Sequence, residues 1–321
     1  MNLDRIDLNL LRVFNVVFEE RNLLRAAKRL NLSQSAISHA LARLRYAIDD
    51  DLFVRSAAGM VPTPRAMAMA GPLRNALHQI GEAIGGEPFD PATTGREFVV
   101  AATDYVTVLL LGALAADLDE HAPFANLVVR PSTRIDLAGQ IDLGRIDLAI
   151  GVYAEIPARF RFMCLWTQVD SLVMRQSHPL CDKVLDNQAL LDYPLLTVSL
   201  GGTEEGAVDG YIAERGLARQ SEMFDRQSLV DALAPDTPRF RMQVAHALAV
   251  PTLLRTSDML ALLPSPLGRL FAREYDVHSV APPYAPRPVD VHAVWHERND
   301  ADPAHAWFRE RLARLAPGLS L

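Results

Sequence analysis

The stretch Leu24-Arg25-Ala26-Ala27-Lys28-Arg29-Leu30-Asn31-Leu32-Ser33-Gln34-Ser35-Ala36-Ile37-Ser38-His39-Ala40-Leu41-Ala42-Arg43-Leu44 decides how this chain is read. It spells two helices around a tight turn. Ala26 and Ala27 are small enough to let the helices approach. Asn31-Leu32-Ser33 makes the turn, and Ser33 is a good N-cap for a helix from Gln34 to about Asp49. Leu30, Leu32, Ile37 and Leu41 are expected to fill a shared core. Ser33, Gln34, Ser35, Ser38 and His39 then fall on the leading turns of the second helix, where polar side chains could reach base edges in a major groove. Arg43 and Arg45 lie further along and suit phosphates.

Outward from that stretch, Leu8, Leu11, Phe14, Val17 and Phe18 recur at helical spacing, so Asp7 to Glu20 reads as an amphipathic helix. Downstream, Leu52-Phe53-Val54-Arg55, a turn around Ala58-Gly59-Met60 and Val61-Pro62 form a small hairpin, the shape of a wing. Arg55 is placed there to touch a nucleic-acid backbone or enter a minor groove. Thr63-Pro64 is a cap followed by proline at the first helical position. Leu73, Leu77, Ile80 and Ile84 step like the seam of a coiled coil, with a bend expected at Pro72 and an end at Gly85-Gly86 and Pro88. Residues 1–62 are thus a winged helix-turn-helix and 63–88 a linker that also dimerises.

Residues 7–65 resemble the DNA-binding domain of LysR-type regulators. Asp7-Leu8-Asn9-Leu10-Leu11 opens the resemblance, and Ser33-Gln34-Ser35-Ala36-Ile37-Ser38 with Leu44-Arg45 carries the recognition helix. Asp51-Leu52-Phe53-Val54-Arg55 and Pro62-Thr63-Pro64 carry the wing and linker start, placing Thr63 in the DNA-facing set. Further on, Phe89-Asp90-Pro91, Ala102-Thr103-Asp104, Asp147-Leu148-Ala149-Ile150-Gly151, His178-Pro179-Leu180 and Trp295-His296 resemble the branch that responds to aromatic compounds. The resemblance implies a C-terminal half with the type II periplasmic-binding-protein fold, its two lobes clasping an effector. It also implies assembly as dimers and tetramers, contact with RNA polymerase and activation of a catabolic operon.

From Arg96 the residue pattern itself changes to short apolar strands alternating with helices. Strands are expected at Phe98–Ala102, Leu127–Arg130, Leu148–Val152, Ser171–Arg175, Leu195–Val198, Met259–Leu263 and Val289–Trp295, and helices at Val106–Glu120, Ala207–Arg215 and Ala304–Leu315. This alternation predicts an α/β domain over 89–321 with mostly parallel sheets, so the chain is an α+β multidomain protein. One lobe is expected over about 96–166 and 268–321, the other over 167–267. Between Leu217 and Arg241 the chain is about twenty residues longer than that branch, a stretch open to reading as a surface insertion, a cleft cover or a subunit contact.

Ligands in α/β folds sit beyond the C-terminal ends of strands. Those ends nominate Thr103, Asp104, Tyr105, Ser132, Gly151, Gln168, Ser199, Thr203 and His246 for a small, largely apolar effector, aromatic or carboxylate-bearing. Helix amides after Thr103 and hydroxyl or amide donors would hold its polar end.

Composition sets limits on the alternatives. The net charge of −7 hides an asymmetry: residues 1–65 hold ten Lys/Arg and seven Asp/Glu, the remainder 22 and 32. A mildly basic head on an acidic body suits a duplex-binding module attached to something that is not one. No apolar run approaches a membrane span and the first twenty residues do not read as a signal peptide, so a cytoplasmic protein with no membrane partner is expected. Two cysteines, Cys164 and Cys181, do not make a disulfide scaffold. His292 and His296, four apart on a strand and so roughly 13 Å from each other, cannot share one ion. No catalytic pair, metal cluster or cofactor motif is found. The competing reading is a cytoplasmic small-molecule-binding protein or enzyme on the same bilobed domain, its head serving assembly.

Overall fold

The computed structural model describes residues 7–56, 59–83, 89–201, 207–208 and 210–319, and divides the chain into two compact units after Arg96. In the first unit, α1 (Leu8–Glu20), α2 (Leu23–Leu30) and α3 (Gln34–Ile48) precede the hairpin β1 (Phe53–Ser56) and β2 (Gly59–Pro62), and α4 (Pro64–Ala83) follows. Each of the first three helices starts on a side-chain cap: Asp7 accepts from Asn9 N, Asn22 from Leu24 and Arg25 N, and Ser33 from Ala36 N. Each ends on a left-handed residue, Arg21, Asn31 and Asp49.

Phe14, Val17, Ala26, Ile37, Leu41 and Leu44 are buried together, and Leu52, Phe53, Ala66 and Ala70 bring the wing and α4 into the same core. Leu8 and Leu32, expected inside, are instead about half exposed. Leu32 sits past the left-handed Asn31, which turns the chain outward before α3 begins. The wing docks on the α1–α2 turn, with Met60 N donating to the Arg21 carbonyl at 3.0 Å. Gly59 is required there. Its φ is +109°, and a Cβ would lie 2.8 Å from that carbonyl oxygen. Helix α4 is continuous through Pro72. Leu73 packs on the first unit's core, whereas Ile80 is exposed. The expected end of this helix, Ile84 to Pro88, lies outside the described residues.

The second unit runs β3 (Glu97–Ala102), α5 (Asp104–Val106), a π-helical Thr107–Leu111, α6 (Gly112–His121), β4 (Asn126–Pro131), α7 (Leu137–Asp142), β5 (Leu148–Glu155) and β6 (Phe160–Gln168). It continues through β7 (Asp170–Arg175), α8 (Asn187–Asp192), β8 (Leu195–Val198), β9 (Tyr211–Glu214), β10 (Leu217–Gln220), α9 (Arg226–Leu233) and β11 (Phe240–Val244). It closes with α10 (Val250–Arg255), β12 (Leu260–Pro264), α11 (Ser265–Glu274), β13 (Val277–Val280), β14 (Val289–His296) and α12 (Pro303–Leu315).

Two sheets result. The first has the order β4-β3-β5-β10-β9, with β14 pairing both β5 and β6; the second has the order β11-β8-β12-β7-β13. The expectation of mostly parallel strands is corrected. Only β3–β4, β3–β5, β8–β11 and β8–β12 are parallel pairings among the described residues of this unit. The parallel core of each sheet is widened by antiparallel strands whose register no local pattern encodes.

The lobe limits are corrected as well. Strand β13 pairs with β7, so the chain stays in the second lobe well past residue 267. Strands β9 and β10 return to the first sheet, with Arg219 opposite Tyr153 on β5. The helix expected at Ala207–Arg215 is this hairpin. Arg215 and Gly216 have φ of 49° and 84°, the two positive values of a tight hairpin turn. The long stretch after Leu217 is no surface insertion. It supplies β10 and α9, and Phe224, Leu229 and Leu233 are buried in the second lobe's core with Leu172, Leu195 and Leu260.

Candidate functional site

Two regions gather the residues nominated from sequence. The first is the outer face of α3. Ile37, Leu41 and Leu44 point inward, while Ser33, Gln34, Ser35, Ser38, His39 and Arg43 are exposed. The 3.6-residue repeat produces this split, since an apolar stripe committed to the core leaves the opposite stripe to solvent. Ser33 spends its hydroxyl on the cap, 3.1 Å from Ala36 N, and lies 2.9 Å from the Ser35 hydroxyl. Arg43 lies 3.7 Å from Asp7 and remains two-thirds exposed.

Arg45 is not a phosphate ligand of the kind expected. Its guanidinium donates to the carbonyls of Asp51 and Phe53 at 2.7 and 3.1 Å and so fixes the wing to α3. Thr63 is likewise committed, donating to Asp50 at 2.7 Å and accepting from Ala66 N at 3.1 Å. These bonds to Thr63 and to the Leu52 amide hold the Asp50 carboxyl below the usual carboxylate range. Arg55 stands on β1 opposite Met60, and its side chain falls outside the described residues.

The second region lies in the C-terminal unit, between its two sheets. Three cavities share Thr103 and Leu200 as walls. The largest, about 380 Å³, is bounded by Val108, Val129, Pro131, Leu248 and His246. Two smaller cavities of about 30 Å³ each lie beside it. One is walled by Ser132, Tyr153 and Arg219, the other by Tyr105, Gln168 and Met223. Of the nominated residues, Thr103, Asp104, Tyr105, Ser132, Gly151, Gln168 and His246 therefore line cavity walls. Ser199 is not among those walls; its amide donates to Val244 and its hydroxyl accepts from Gly201 N at 3.3 Å. Its neighbour Leu200 takes the wall position. Thr203 lies outside the described residues.

The chemistry of these walls differs from the expectation in two ways. The helix start after Thr103 is filled by its own side chains. Thr103 Oγ1 accepts from Val106 N, and Asp104 accepts from Tyr105 N at 2.9 Å and from Leu248 N at 3.1 Å. An effector carboxylate placed there would meet the Asp104 carboxylate. Tyr105 and Gln168 are also committed. The Gln168 carbonyl oxygen accepts both the Tyr105 hydroxyl and Trp166 Nε1, the latter at 2.9 Å. Burial drives the Tyr105 phenol far above its ordinary range, so it is a neutral donor.

Two cations on these walls were missed from sequence, Arg130 beside the largest of the three cavities and Arg219. The Arg219 side chain is 6% exposed, yet it walls the same cavity as Ser132. It occupies that wall only because β10 pairs with β5, a contact between residues more than sixty positions apart that no local pattern signals.

Among the described residues, no group of three or more His, Cys, Asp or Glu could hold a metal ion, and no helix is long and apolar enough to cross a membrane. Cys164 is exposed, with its thiol pushed up by partial burial and by Asp290, away from the thiolate that redox chemistry needs.

Comparison with known proteins adds the following. Residues 8–67 match the model of the bacterial regulatory helix-turn-helix protein, lysR family, and residues 92–317 match the LysR substrate binding domain. The HTH-type transcriptional activator NahR of Pseudomonas putida is 30% identical over 316 residues, covering 98% of this chain and 99% of that protein. The HTH-type transcriptional activator NagR of a Ralstonia species is 28% identical over 98% of this chain and 99% of its own length. The solved structure of a probable transcriptional regulator from Pseudomonas aeruginosa superposes with a TM-score of 0.65 at 30% identity, covering 97% of this chain and 98% of that one.

Proposed function

This chain belongs to the LysR family of transcriptional regulators, and from that premise we propose that it activates a catabolic operon in response to a small aromatic or carboxylate-bearing effector held between the two sheets of its C-terminal unit. The observation that carries the DNA-binding part is the division of α3, with Ile37, Leu41 and Leu44 buried and Gln34, Ser35, Ser38 and His39 exposed. Those four residues are the base readers in this reading. Arg43 and Arg55 contact phosphates or the minor groove, while Ser33 and Thr63 hold the helix start and the wing. The exposed Ile80 side of α4 is the dimer seam. It lets two recognition helices enter successive major grooves about one helical turn apart. Dimers pair into a tetramer that contacts RNA polymerase.

Effector binding favours one angle between the lobes over another and so shifts the tetramer between DNA-bound states. The 380 Å³ cavity, where Val108, Val129, Pro131 and Leu248 stand beside Thr103, Thr107, Thr133, Arg130 and His246, supports a ligand of about one ring with a polar end. The activators of Pseudomonas and Ralstonia, similar over their whole length, support the same reading.

The test is fluorescence anisotropy of the purified protein on its own upstream region and on random duplex at two salt concentrations. A salt-sensitive preference for the upstream region is expected, weakened by Gln34→Ala and Ser38→Ala. Equal affinity for both duplexes, or no change on either substitution, refutes the proposal.

A further inference from the structure

Arg130 walls the largest of the three cavities. It stands near the end of β4, the outer strand of the first sheet, opposite Ala101 of β3. Its side chain is exposed and, among the described residues, holds no hydrogen bond, ion pair or ring contact. Asp104 is the one carboxylate among the described walls of that cavity, and it does not answer Arg130. Its Oδ1 accepts from Tyr105 N at 2.9 Å and its Oδ2 from Leu248 N at 3.1 Å. The hydroxyls of Thr103 and Thr107 are engaged too, the first accepting from Val106 N and the second donating to the Thr103 carbonyl at 2.9 Å. The uncommitted polar groups gather instead at the end of β4. Ser132 is 6% exposed, and among the described residues its hydroxyl has no hydrogen-bond partner. It walls the adjoining cavity, which shares Thr103, Thr133 and Leu200 with the large one. A buried hydroxyl without a protein partner marks a place where another polar atom completes the set.

We propose that Arg130 is the specificity-determining anchor for the effector's carboxylate, with Ser132 as the neutral donor beside it, so that the effector is an organic acid rather than a neutral aromatic. The inference rests on the reading of this cavity as the effector site and deepens it. A planar guanidinium takes a carboxylate through two parallel hydrogen bonds. Two arginines of the same unit show that geometry, Arg159 on Asp142 and Arg311 on Asp117, each donating twice to one carboxylate. Arg130 has the same fork and no acid on it among the described residues. The helix start after Thr103 is closed to an acid by Asp104, which leaves the end of β4 as the place for the ligand's charge. The body of the ligand then lies against Val108, Val129 and Leu248. Arg130 belongs to the first sheet, whereas Leu248 and His246 follow β11 of the second, so an acid held on Arg130 touches both lobes at once. That is the differential contact a shift in lobe angle requires.

The test is calorimetry on the full chain, with benzoate and salicylate as acids and benzamide as their uncharged counterpart, at low and high salt. The native protein should favour the acids, less so at high salt, because an exposed ion pair is screened. Arg130→Gln should weaken acid binding about 5- to 30-fold, leave benzamide affinity unchanged and flatten the salt dependence. Arg130→Lys keeps the charge without the fork and should fall between. Neither substitution should lower the melting temperature of the ligand-free protein, since neither removes a bond seen among the described residues. A structural Arg130 would lower that temperature and weaken acid and amide alike, which overturns the inference. Equal affinity of the native protein for acid and amide, or binding of none of the three probes, overturns it as well. Leu248→Trp, which fills the cavity from the opposite lobe, judges the site separately. If it abolishes binding while Arg130→Gln changes nothing, the anchor is refuted and the cavity stands. If it leaves binding intact, the reading of the cavity as the effector site falls and the anchor with it.

Discussion

Replacing Gln168 by Leu should destabilise the C-terminal unit by about 2 to 6 kcal/mol, and the structure shows where that figure arises. One carbonyl oxygen serves two donors, Trp166 Nε1 at 2.9 Å and the Tyr105 hydroxyl. All three residues are nearly inaccessible, at 3% for Gln168, 2% for Trp166 and 5% for Tyr105. Leucine fills most of the volume but orphans both donors, and each buried unsatisfied donor costs about 1–3 kcal/mol. Tyr105→Phe in the native background removes one ordinary hydrogen bond and costs about 1 kcal/mol. In the Gln168→Leu background the same change removes an orphan, so it should restore stability by about 1 kcal/mol or more. This reversal of sign is the signature of the shared acceptor. The assay is urea unfolding followed by tryptophan fluorescence. All three tryptophans, Trp166, Trp295 and Trp307, lie in the C-terminal unit, so the signal reports that unit alone. A Gln168→Leu protein within about 0.5 kcal/mol of native would refute the reasoning, as would a Tyr105→Phe change that destabilises both backgrounds equally.

Other expectations follow from the same structure. The Asp170 carboxyl accepts from Asp225 N at 2.8 Å, and burial pushes it up to about 7, with the Asp225 charge pushing the same way. A raised acid favours the folded state below its unfolded value and loses that contribution as pH rises through about 7. Urea midpoints should therefore fall between pH 5 and pH 8, and Asp170→Asn should flatten that slope. Asp117 behaves oppositely. Its bidentate pairing with Arg311 joins α6 to α12 and holds the carboxyl low, so the contribution is full at neutral pH and fades as pH drops below the ordinary carboxylate range. Asp117→Asn should remove that acid-side loss, whereas a native protein with no acid-side loss to remove would exclude the pair as its source. Thr63→Val should cost about 1–2 kcal/mol through the lost cap and the Asp50 bond, read as a lower melting temperature of the N-terminal unit by circular dichroism. At a temperature where the variant is folded, its duplex affinity should match native.

The helix-turn-helix was legible because its determinants are neighbours in sequence. Ser33 was readable as the cap of the helix that begins one residue later, and the apolar spacing of α1 and α3 names the buried face directly; the caps Asp7 and Asn22 obey the same local rule but emerged with the structure. Leu32 misled for an equally local reason, since a left-handed Asn31 swings it away from the face its spacing suggests. In the C-terminal unit the apolar runs gave most strands but not their partners. Tyr211–Glu214 looked helical because no sequence feature shows that Arg215-Gly216 turns it back against Leu217–Gln220. Thr103, Ser132 and His246 were found at strand ends, where position along the element suffices. Arg219 was not, because its place on the wall depends on β10 meeting β5.

By itself, then, the order of residues determined what short-range physics can: the cap at Ser33, the buried stripe of the recognition helix and the wing, while the need for glycine at 59 came from the Arg21 carbonyl packed against it. Tertiary structure alone decided how the strands were shared between two sheets, which carboxyls were buried, and which cation the cavity received. A helix is closed by bonds between residues four apart, so its rules are written within one turn. A sheet is closed by bonds between strands any distance apart, and only the folded chain chooses among them.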